Sequence, residues 1–244
     1  MRKVLVSWRG WNLYSYPTML YVGMVCGIFV AAWVAARSGL DPNRFVLAAM
    51  LLSPLTLIGA RLFFVASHWA FYRNNRARIW RRSEGGMAMY GGLLVVVPVS
   101  IPLLHVMDLS FAKFWDATTF AMLVGMIFTR FGCLLNGCCS GCLSTSWLAL
   151  NLPDYRGVRQ RRMPTQLLEA AWAAVLLSAA FVLRGHEPFD GAIFCSALLA
   201  YGIGRCFLQK LRDDAIVRDT DIIQLTSVML ALAGLIGMGV AWTR

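Results

Sequence analysis

Seven apolar stretches, each long enough to cross a lipid bilayer, constrain this chain more than any other feature. They lie near residues 17–36, 45–67, 87–107, 114–135, 166–184, 190–209 and 222–242. A hydrocarbon core of about 30 Å requires about 20 apolar residues, because a helix rises about 1.5 Å per residue. With 59% hydrophobic and only 14% charged residues, the chain is more apolar than ordinary globular domains. The sequence therefore predicts an all-α polytopic membrane protein with about seven transmembrane helices, in a single domain over residues 1–244.

The connections between these spans divide the polar residues between two membrane faces. The face that we call face A carries the N-terminus and two long basic loops, 68–86 and 137–165. We attribute the net charge of +11 to anionic lipid headgroups, so the bilayer is an expected partner and nucleic acid is not. Most of the loop Lys and Arg residues lie on face A, and the positive-inside rule would place that face in the cytoplasm.

Three arginines, Arg61, Arg130 and Arg205, lie near the face-A ends of predicted spans. Each lies roughly one to two helical turns below that face, so the three share one depth. One alternative is that each side chain extends separately to the interface. A charge inside the bilayer costs at least about 2.5 kcal/mol, so three at one depth favour a shared polar cavity. Because guanidinium holds phosphate through a planar fork of donors, we expect an anionic ligand there.

Other polar residues enter the membrane from the same face. They are Tyr16, Tyr90, Gln166 and Glu169. Glycines flank both Tyr90 and Asn136, and close helix packing is one explanation for them. The other is irregular backbone that lines a cavity and offers N–H groups to an anion. We interpret residues 130–141 as a helix end that unwinds into a glycine-rich loop over the site.

Four cysteines follow Arg130, at positions 133, 138, 139 and 142. A metal site, a loop disulfide, and either simple packing or a cavity-lining thiol are all compatible with this pattern. The spacing differs from that of a zinc ribbon, and two adjacent cysteines, Cys138 and Cys139, are not expected to face one ion. The three histidines of the chain do not converge in the predicted topology. We therefore expect no metal and no cofactor.

Six short motifs occur in a characteristic order along the chain. They are SYP at 15–17, IGARLFFV at 58–65, GGMAMYGGLL at 85–94, RFGCLLNGCCSG at 130–141, MPTQLLEA at 163–170 and YGIGR at 201–205. In this order and at these separations they resemble the bacterial prolipoprotein diacylglyceryl transferase family over nearly the whole chain. The resemblance implies a multi-pass enzyme of the bacterial plasma (inner) membrane. Such an enzyme transfers the diacylglyceryl group of phosphatidylglycerol to the lipobox cysteine thiol of a prolipoprotein and releases glycerol phosphate.

The resemblance also implies roles for individual residues. Arg130 and Arg205 fall on the positions that hold phosphate, and Tyr90 stands where the family carries a histidine that is a candidate base. Tyr16, Asn136, Gly141, Tyr201 and Arg212 fall on positions linked to the lipid. Arg61, Gln166 and Glu169, from the cavity inferred above, complete the predicted lipid-binding set. The family orientation places face A outside, in conflict with the positive-inside rule.

The replaced histidine leaves two alternatives to this activity. A tyrosine with a pKa near 10 is a poor base at neutral pH. The alternatives to the transfer reaction are a non-catalytic phospholipid-binding accessory membrane protein and a transferase that uses the same lipid donor with another acceptor.

Overall fold

The computed structural model describes residues 4–8, 11–73, 79, 89–153, 158–212 and 220–242. The helices are α1 (Ser15–Arg37), α2 (Pro42–Ser67), α3 (Trp69–Tyr72), α4 (Met89–Val106), α5 (Phe111–Asn136), α6 (Thr165–Leu183), α7 (Ala192–Gln209) and α8 (Thr220–Trp242). Two antiparallel hairpins pair β1 (Val4–Trp8) with β2 (Trp11–Tyr14) and β3 (Leu150–Pro153) with β4 (Arg159–Arg162). The second hairpin lies within the predicted loop 137–165, whereas most of the predicted loop 68–86 lies outside the described residues.

The long helices confirm the predicted class of protein. Helices α1, α2, α5, α6 and α7 are long and apolar enough to cross a membrane, and α4 and α8 contain the shorter apolar segments Gly91–Val106 and Gln224–Val240. Each of these seven helices overlaps one predicted stretch. In the five long spans only 28–33% of the apolar window is buried within the protein. Apolar faces of this extent are not stable in water, so they face lipid. The chain is an all-α multi-pass membrane protein.

The chain forms two compact units, residues 35–114 and the remainder. In the unit that combines 1–34 with 115–244, α1 packs antiparallel against α5, with Gly23 close to Phe128 and Gly132 close to Tyr16. Helix α7 packs between α6 and α8. The assignment of one domain to the whole chain stays a prediction.

A buried carboxylate joins α5 to the start of α7. Asp116 Oδ2 accepts a hydrogen bond from the Gly191 N–H at 2.7 Å, and its Oδ1 accepts one from the Phe194 N–H at 2.8 Å. The first N–H groups of a helix have no intrahelical partner and carry partial positive charge, so a carboxylate stabilises them. Asp116 therefore joins α5 to α7 near the start of each helix. Arg130 and Arg205 lie near the other ends of these two helices.

In the unit of residues 35–114, α2 and α4 pack antiparallel through glycines. A Cβ on Gly91 would lie 2.6 Å from the Gly59 carbonyl oxygen, and a Cβ on Gly92 would lie 2.8 Å from Thr56 Cγ2. Only glycine allows helices this close. Close packing, the first of the two explanations given above, therefore accounts for these two glycines of the GGMAMYGGLL motif. The two glycines at its start, residues 85 and 86, lie outside the described residues.

Candidate functional site

Three arginines converge on one buried glutamate. Arg130 Nη2 lies 2.5 Å from Glu169 Oε2, and Arg205 Nη1 lies 2.5 Å from Glu169 Oε1. Arg212 Nη1 lies 3.5 Å from the same Oε1. The exposed fraction of the side chain is 5% for Glu169, and between 7% and 17% for the three arginines. We call these four residues the arginine cluster. Together they carry three positive charges and one negative charge, so the cluster attracts an anion.

Three helix ends bring the arginine cluster together. Arg130 lies in the last two turns of α5, and Arg205 lies about one turn before the end of α7. Glu169 lies in the second turn of α6, and Arg212 lies in the turn that follows α7. Of the three arginines predicted to lie at one depth, Arg130 and Arg205 both contact this one carboxylate, whereas Arg61 belongs to the other unit, so the shared depth of all three stays a prediction.

The loop after α5 is attached to the segments before α6 and after α7. The Gly141 N–H donates to the Met163 carbonyl at 2.9 Å, and the Cys142 N–H donates to the Leu211 carbonyl at 3.0 Å. A Cβ on Gly141 would lie 2.5 Å from the Leu211 oxygen, so only glycine permits this approach. Gly141 also forms a β-bridge with Arg212. The loop therefore helps to position the third arginine of the cluster.

Three thiols form a second cluster beside the arginines. The Sγ atoms of Cys133, Cys138 and Cys139 all lie within 4.8 Å of one another. We call these three residues the thiol cluster. Cys139 has a φ of 61°, in the left-handed region that non-glycine residues rarely adopt. The expectation that the adjacent Cys138 and Cys139 cannot face one point is wrong, because this bend brings both side chains towards Cys133.

Side chains at the start of α6 hold the backbone of the thiol cluster. Gln166 Nε2 donates to the Cys138 carbonyl at 2.7 Å, and Thr165 Oγ1 donates to the Cys139 carbonyl at 2.8 Å. Both donors are buried. A buried polar group without a hydrogen bond destabilises the fold, so these two contacts fix the loop conformation. Gln166, predicted to bind lipid, thus has one established contact with the loop.

The arginine cluster acts on the ionisation of the thiol cluster. The pKa of the Cys139 thiol is held well below its ordinary value by hydrogen bonds with the Cys133 and Cys138 thiols. The positive charges of Arg212 and Arg130 lower this pKa further, while burial opposes the shift. The neighbouring thiols and arginines therefore favour the thiolate form of Cys139 over the thiol.

Several buried polar atoms in this unit have no hydrogen-bond partner among the described residues. They include Ser15 Oγ, Arg130 Nε, Gln166 Oε1 and both amide atoms of Gln209, together with Arg162 Nε, Glu169 Oε2, Trp172 Nε1 and Arg184 Nη1. Gln209 lies four residues after Arg205, so the two share one face of α7. Buried polar atoms are normally paired, and a polar ligand would pair these. We did not predict Gln209 as a site residue. Its position four residues after Arg205, on the same face of the helix, could have indicated it.

Three more predicted residues lie near the two clusters. The Tyr16 hydroxyl interacts electrostatically with Arg130 and with the three thiols, and Tyr201 interacts with Arg130. The Asn136 side chain interacts with the Cys138 thiol. The structure therefore brings Tyr16 and Tyr201 close to Arg130 and Asn136 close to the thiol cluster, and their roles in lipid binding stay predictions.

Two predicted residues are not placed at this site by the structure. Arg61 is buried in the unit of residues 35–114, where its Nε donates to the Ile79 carbonyl at 2.8 Å. Its guanidinium lies 5.7 Å from the ring centroids of Phe64 and Tyr72. A cavity shared with the arginine cluster stays a prediction. Tyr90 is the second residue of α4, and its side chain lies outside the described part of the chain.

Comparisons with known proteins give one family. The sequence model of that family, described as prolipoprotein diacylglyceryl transferase, matches residues 3–240. A phosphatidylglycerol-prolipoprotein diacylglyceryl transferase of Bacillus cytotoxicus is 29% identical over 88% of this chain and 82% of the relative. The proteins of the same name from Clostridioides difficile and Geobacillus kaustophilus are 26% and 27% identical, over 94% and 91% of this chain and 92% and 87% of the relatives. The chain belongs to the prolipoprotein diacylglyceryl transferase family.

Proposed function

We propose that this chain transfers the diacylglyceryl group of phosphatidylglycerol to the lipobox cysteine thiol of a prolipoprotein and releases glycerol phosphate. The observation that carries this proposal is the arginine cluster, a buried site with more positive than negative charge at one end of three membrane helices. Family membership over residues 3–240 supports the same activity. The names of the relatives supply the donor lipid and the class of acceptor.

The phosphodiester of the donor binds to the arginine cluster. Arg130 and Arg205 each use part of their guanidinium on Glu169, and Arg130 Nε is buried without a hydrogen-bond partner among the described residues. A guanidinium has five N–H donors, so it can hold the carboxylate and a phosphate oxygen at once. The amide of Gln209 is a further candidate donor to the headgroup.

The reaction replaces a carbon–oxygen bond with a carbon–sulfur bond. The acceptor thiolate attacks the glyceryl carbon, and the bond between that carbon and the phosphate oxygen breaks. Negative charge then grows on the departing glycerol phosphate, and preorganised guanidiniums in a buried site stabilise such charge strongly. Arg130 and Arg205 are the catalytic residues of this step.

The thiol of the prolipoprotein must lose its proton, so the reaction needs a group that takes this proton up. Both carboxylate oxygens of Glu169 contact guanidinium groups, so Glu169 serves as a positioning residue for the arginines. Tyr90 remains our candidate for handling the proton, on the basis of its position in the GGMAMYGGLL motif. Tyr16, Arg61, Asn136, Gly141, Gln166, Tyr201 and Arg212 complete the proposed lipid site.

We place the protein in the bacterial plasma membrane with face A outward. Prolipoproteins reach that side after translocation, and phosphatidylglycerol enters laterally from the bilayer. The basic residues of face A then serve the anionic donor lipid, which accounts for the departure from the positive-inside rule.

The test is an assay of the purified full chain with phosphatidylglycerol and a lipobox peptide, in which released glycerol phosphate is measured. Arg130→Ala is expected to lower kcat about 100- to 1000-fold, the usual effect of removing one preorganised donor to a developing charge. Arg184→Ala is the matched control, since Arg184 lies at the far end of α6 and stacks on Trp33. A peptide with serine in place of the acceptor cysteine shows whether the thiol is the acceptor.

Each other outcome identifies one of the alternatives. Retained phosphatidylglycerol with no glycerol phosphate release would favour a non-catalytic lipid-binding protein. Release that does not depend on the cysteine of the peptide would favour another acceptor. If Tyr90→Phe keeps full activity while Arg130→Ala is inactive, the arginine role stands and the tyrosine role is refuted.

A further inference from the structure

The thiol cluster has the composition and the arrangement of a metal site. Cys133 comes from the last turn of α5, and Cys138 and Cys139 come from the loop that follows it. All three are free cysteines whose sulfurs lie within 4.8 Å of one another. Cys133 is buried, and the two loop cysteines are partly exposed. Packing alone does not require three thiols to meet at one point.

The backbone supports this arrangement at an energetic cost. A non-glycine residue at positive φ, such as Cys139 at 61°, is less stable by about 1 kcal/mol or more. Such conformations persist where the surroundings fix them, and they concentrate at functional sites. Here the contacts of Gln166 and Thr165 with the loop carbonyls fix the conformation.

The distances suit a tetrahedral thiolate site. Zinc–sulfur bonds of about 2.3 Å in a tetrahedron place the sulfurs about 3.8 Å apart. Sulfurs that all lie within 4.8 Å of one another therefore need to move by less than about 1 Å. Soft thiolate ligands select Zn²⁺ over hard cations such as Mg²⁺ or Ca²⁺. Three protein ligands leave one position open, which is the arrangement of catalytic zinc sites.

We propose that Cys133, Cys138 and Cys139 bind Zn²⁺, and that the open position of the metal binds the acceptor thiol. This inference rests on the proposed function for the identity of the acceptor. Coordination to the metal deprotonates a thiol outright, so the chain obtains a thiolate nucleophile without a strong base. That property matches a chain in which Tyr90 stands where the family resemblance places a histidine.

The step balances without an oxidant or a reductant. The S–H bond of the acceptor breaks when the sulfur binds the metal, and its proton passes to water, so in this scheme Tyr90 is not needed as the proton acceptor. The sulfur lone pair then forms the C–S bond with the glyceryl carbon of phosphatidylglycerol. The C–O bond breaks, and its electron pair leaves with glycerol phosphate, which carries one more negative charge than the phosphodiester did. The thioether product is uncharged.

The charges of the two clusters are compatible. Three thiolates and one divalent cation carry one negative charge, next to the positive guanidiniums of Arg130 and Arg212. Both arginines act electrostatically on Cys139, so the clusters are close. The metal complex and the headgroup phosphate are then both accommodated beside three guanidiniums and one carboxylate.

The first experiment measures metal in the full chain, purified in detergent without chelators. We expect about one zinc per chain by elemental analysis, and thiolate-to-metal charge-transfer absorption after exchange with Co²⁺. The triple variant with Cys133, Cys138 and Cys139 changed to Ser is expected to retain less than about a tenth of the metal. Cys142→Ser is the matched control from the same loop and is expected to bind metal normally. Wild-type protein without metal, or with a disulfide between two of the three cysteines, would overturn the proposal.

A single substitution keeps the test decisive if the triple variant does not fold. Cys138→Ser removes one of three thiolates, so the charge-transfer band of the Co²⁺ protein is expected to fall by about a third. An unchanged band would show that the cobalt is bound elsewhere.

The second experiment adds lipobox peptide to the Co²⁺ protein. A cysteine peptide is expected to change the cobalt spectrum and a serine peptide is not, because only a thiolate enters the open position. Identical spectra with both peptides would refute thiol coordination. Glycerol phosphate release by metal-free protein would refute activation of the acceptor thiol by the metal and leave the proposed function intact. Metal binding with the cysteine-dependent spectral change, but without release from phosphatidylglycerol, would refute the proposed function and leave the site intact.

Discussion

Replacing Glu169 with glutamine tests the arginine cluster most directly. The carboxylate contacts two guanidiniums at 2.5 Å and a third at 3.5 Å, and its side chain is only 5% exposed. Removing one partner of a buried ion pair destabilises a protein by about 3–5 kcal/mol. The glutamine amide oxygen can still accept a hydrogen bond, so we expect the lower end, about 3 kcal/mol. For a chain of this length that corresponds to a fall in Tm of about 6–12 °C.

The same substitution is expected to tighten the binding of phosphatidylglycerol. In the wild-type protein the Glu169 carboxylate repels the phosphate that binds to the same arginines. Two unit charges about 5 Å apart interact by about 3 kcal/mol at an effective dielectric constant of 20. Because the arginines also lose their positioning contact, we expect a net gain of about tenfold in affinity, or about 1.4 kcal/mol. Turnover falls, since the guanidiniums are no longer held at the reacting phosphate.

Thermal unfolding in detergent, titrated with phosphatidylglycerol or with zwitterionic phosphatidylcholine, measures both effects. We expect Glu169→Gln to unfold at lower temperature than wild type without lipid, and phosphatidylglycerol to raise its Tm more than that of wild type. Glu187→Gln is the matched control, because Glu187 lies in the connection before α7, is only partly buried, and accepts a local hydrogen bond from the Gly185 N–H. Equal Tm values for the two variants would refute the buried cluster. Equal stabilisation of Glu169→Gln and wild type by phosphatidylglycerol would refute anion binding at the arginines.

Three further substitutions test other parts of the site. Gln209→Leu removes a buried amide without a described partner, so it is expected to raise Tm without lipid and to weaken phosphatidylglycerol binding, as lipid titration would show. Gly141→Ala places a methyl group 2.5 Å from the Leu211 oxygen, so the loop must shift; we expect a loss of about 1–3 kcal/mol in unfolding free energy and a fall in kcat. Asp116→Ala removes the cap of α7 and is expected to lower the unfolding free energy by about 1–2 kcal/mol, with Asp116→Asn intermediate. An unchanged Tm in either of these last two variants would contradict the packing or the cap on which it rests.

The sequence predicted the membrane helices well because their signal is local. An apolar run of membrane length needs no knowledge of its neighbours, and α6 begins at Thr165, next to the predicted start at residue 166. The hairpin of β3 and β4 was not predicted. Its segment LNLP is only four residues long, has no β-branched or aromatic residue and ends in proline, and RQRR is polar throughout, so neither is typical of a strand.

The site was predictable in part, for a related reason. The depth of Arg130 and Arg205 follows from helix rise, so their proximity could be inferred. The central place of Glu169 depends on how three helices are rotated about their axes, which spacing within one helix does not determine. The thiol cluster depends on the positive φ of Cys139 and on the contacts of Thr165 and Gln166 that hold the loop. Two adjacent cysteines in the sequence do not predict a positive φ. In ordinary extended backbone their side chains would point to opposite sides.

Helices α5 and α6 each carry residues of, or in contact with, both clusters, one helical turn apart. On α5, Arg130 and Cys133 are three residues apart, and on α6, Gln166 and Glu169 have the same spacing. Each helix therefore contributes one residue to the arginine cluster and one to the thiol cluster or its support, with Cβ atoms about 5–6 Å apart. In the proposed reaction the attacking sulfur and the departing oxygen flank one carbon, so they must lie within about 5 Å of each other. The helical repeat thus keeps the two clusters within about one turn of each other on both helices, and rotation of either helix moves both clusters together.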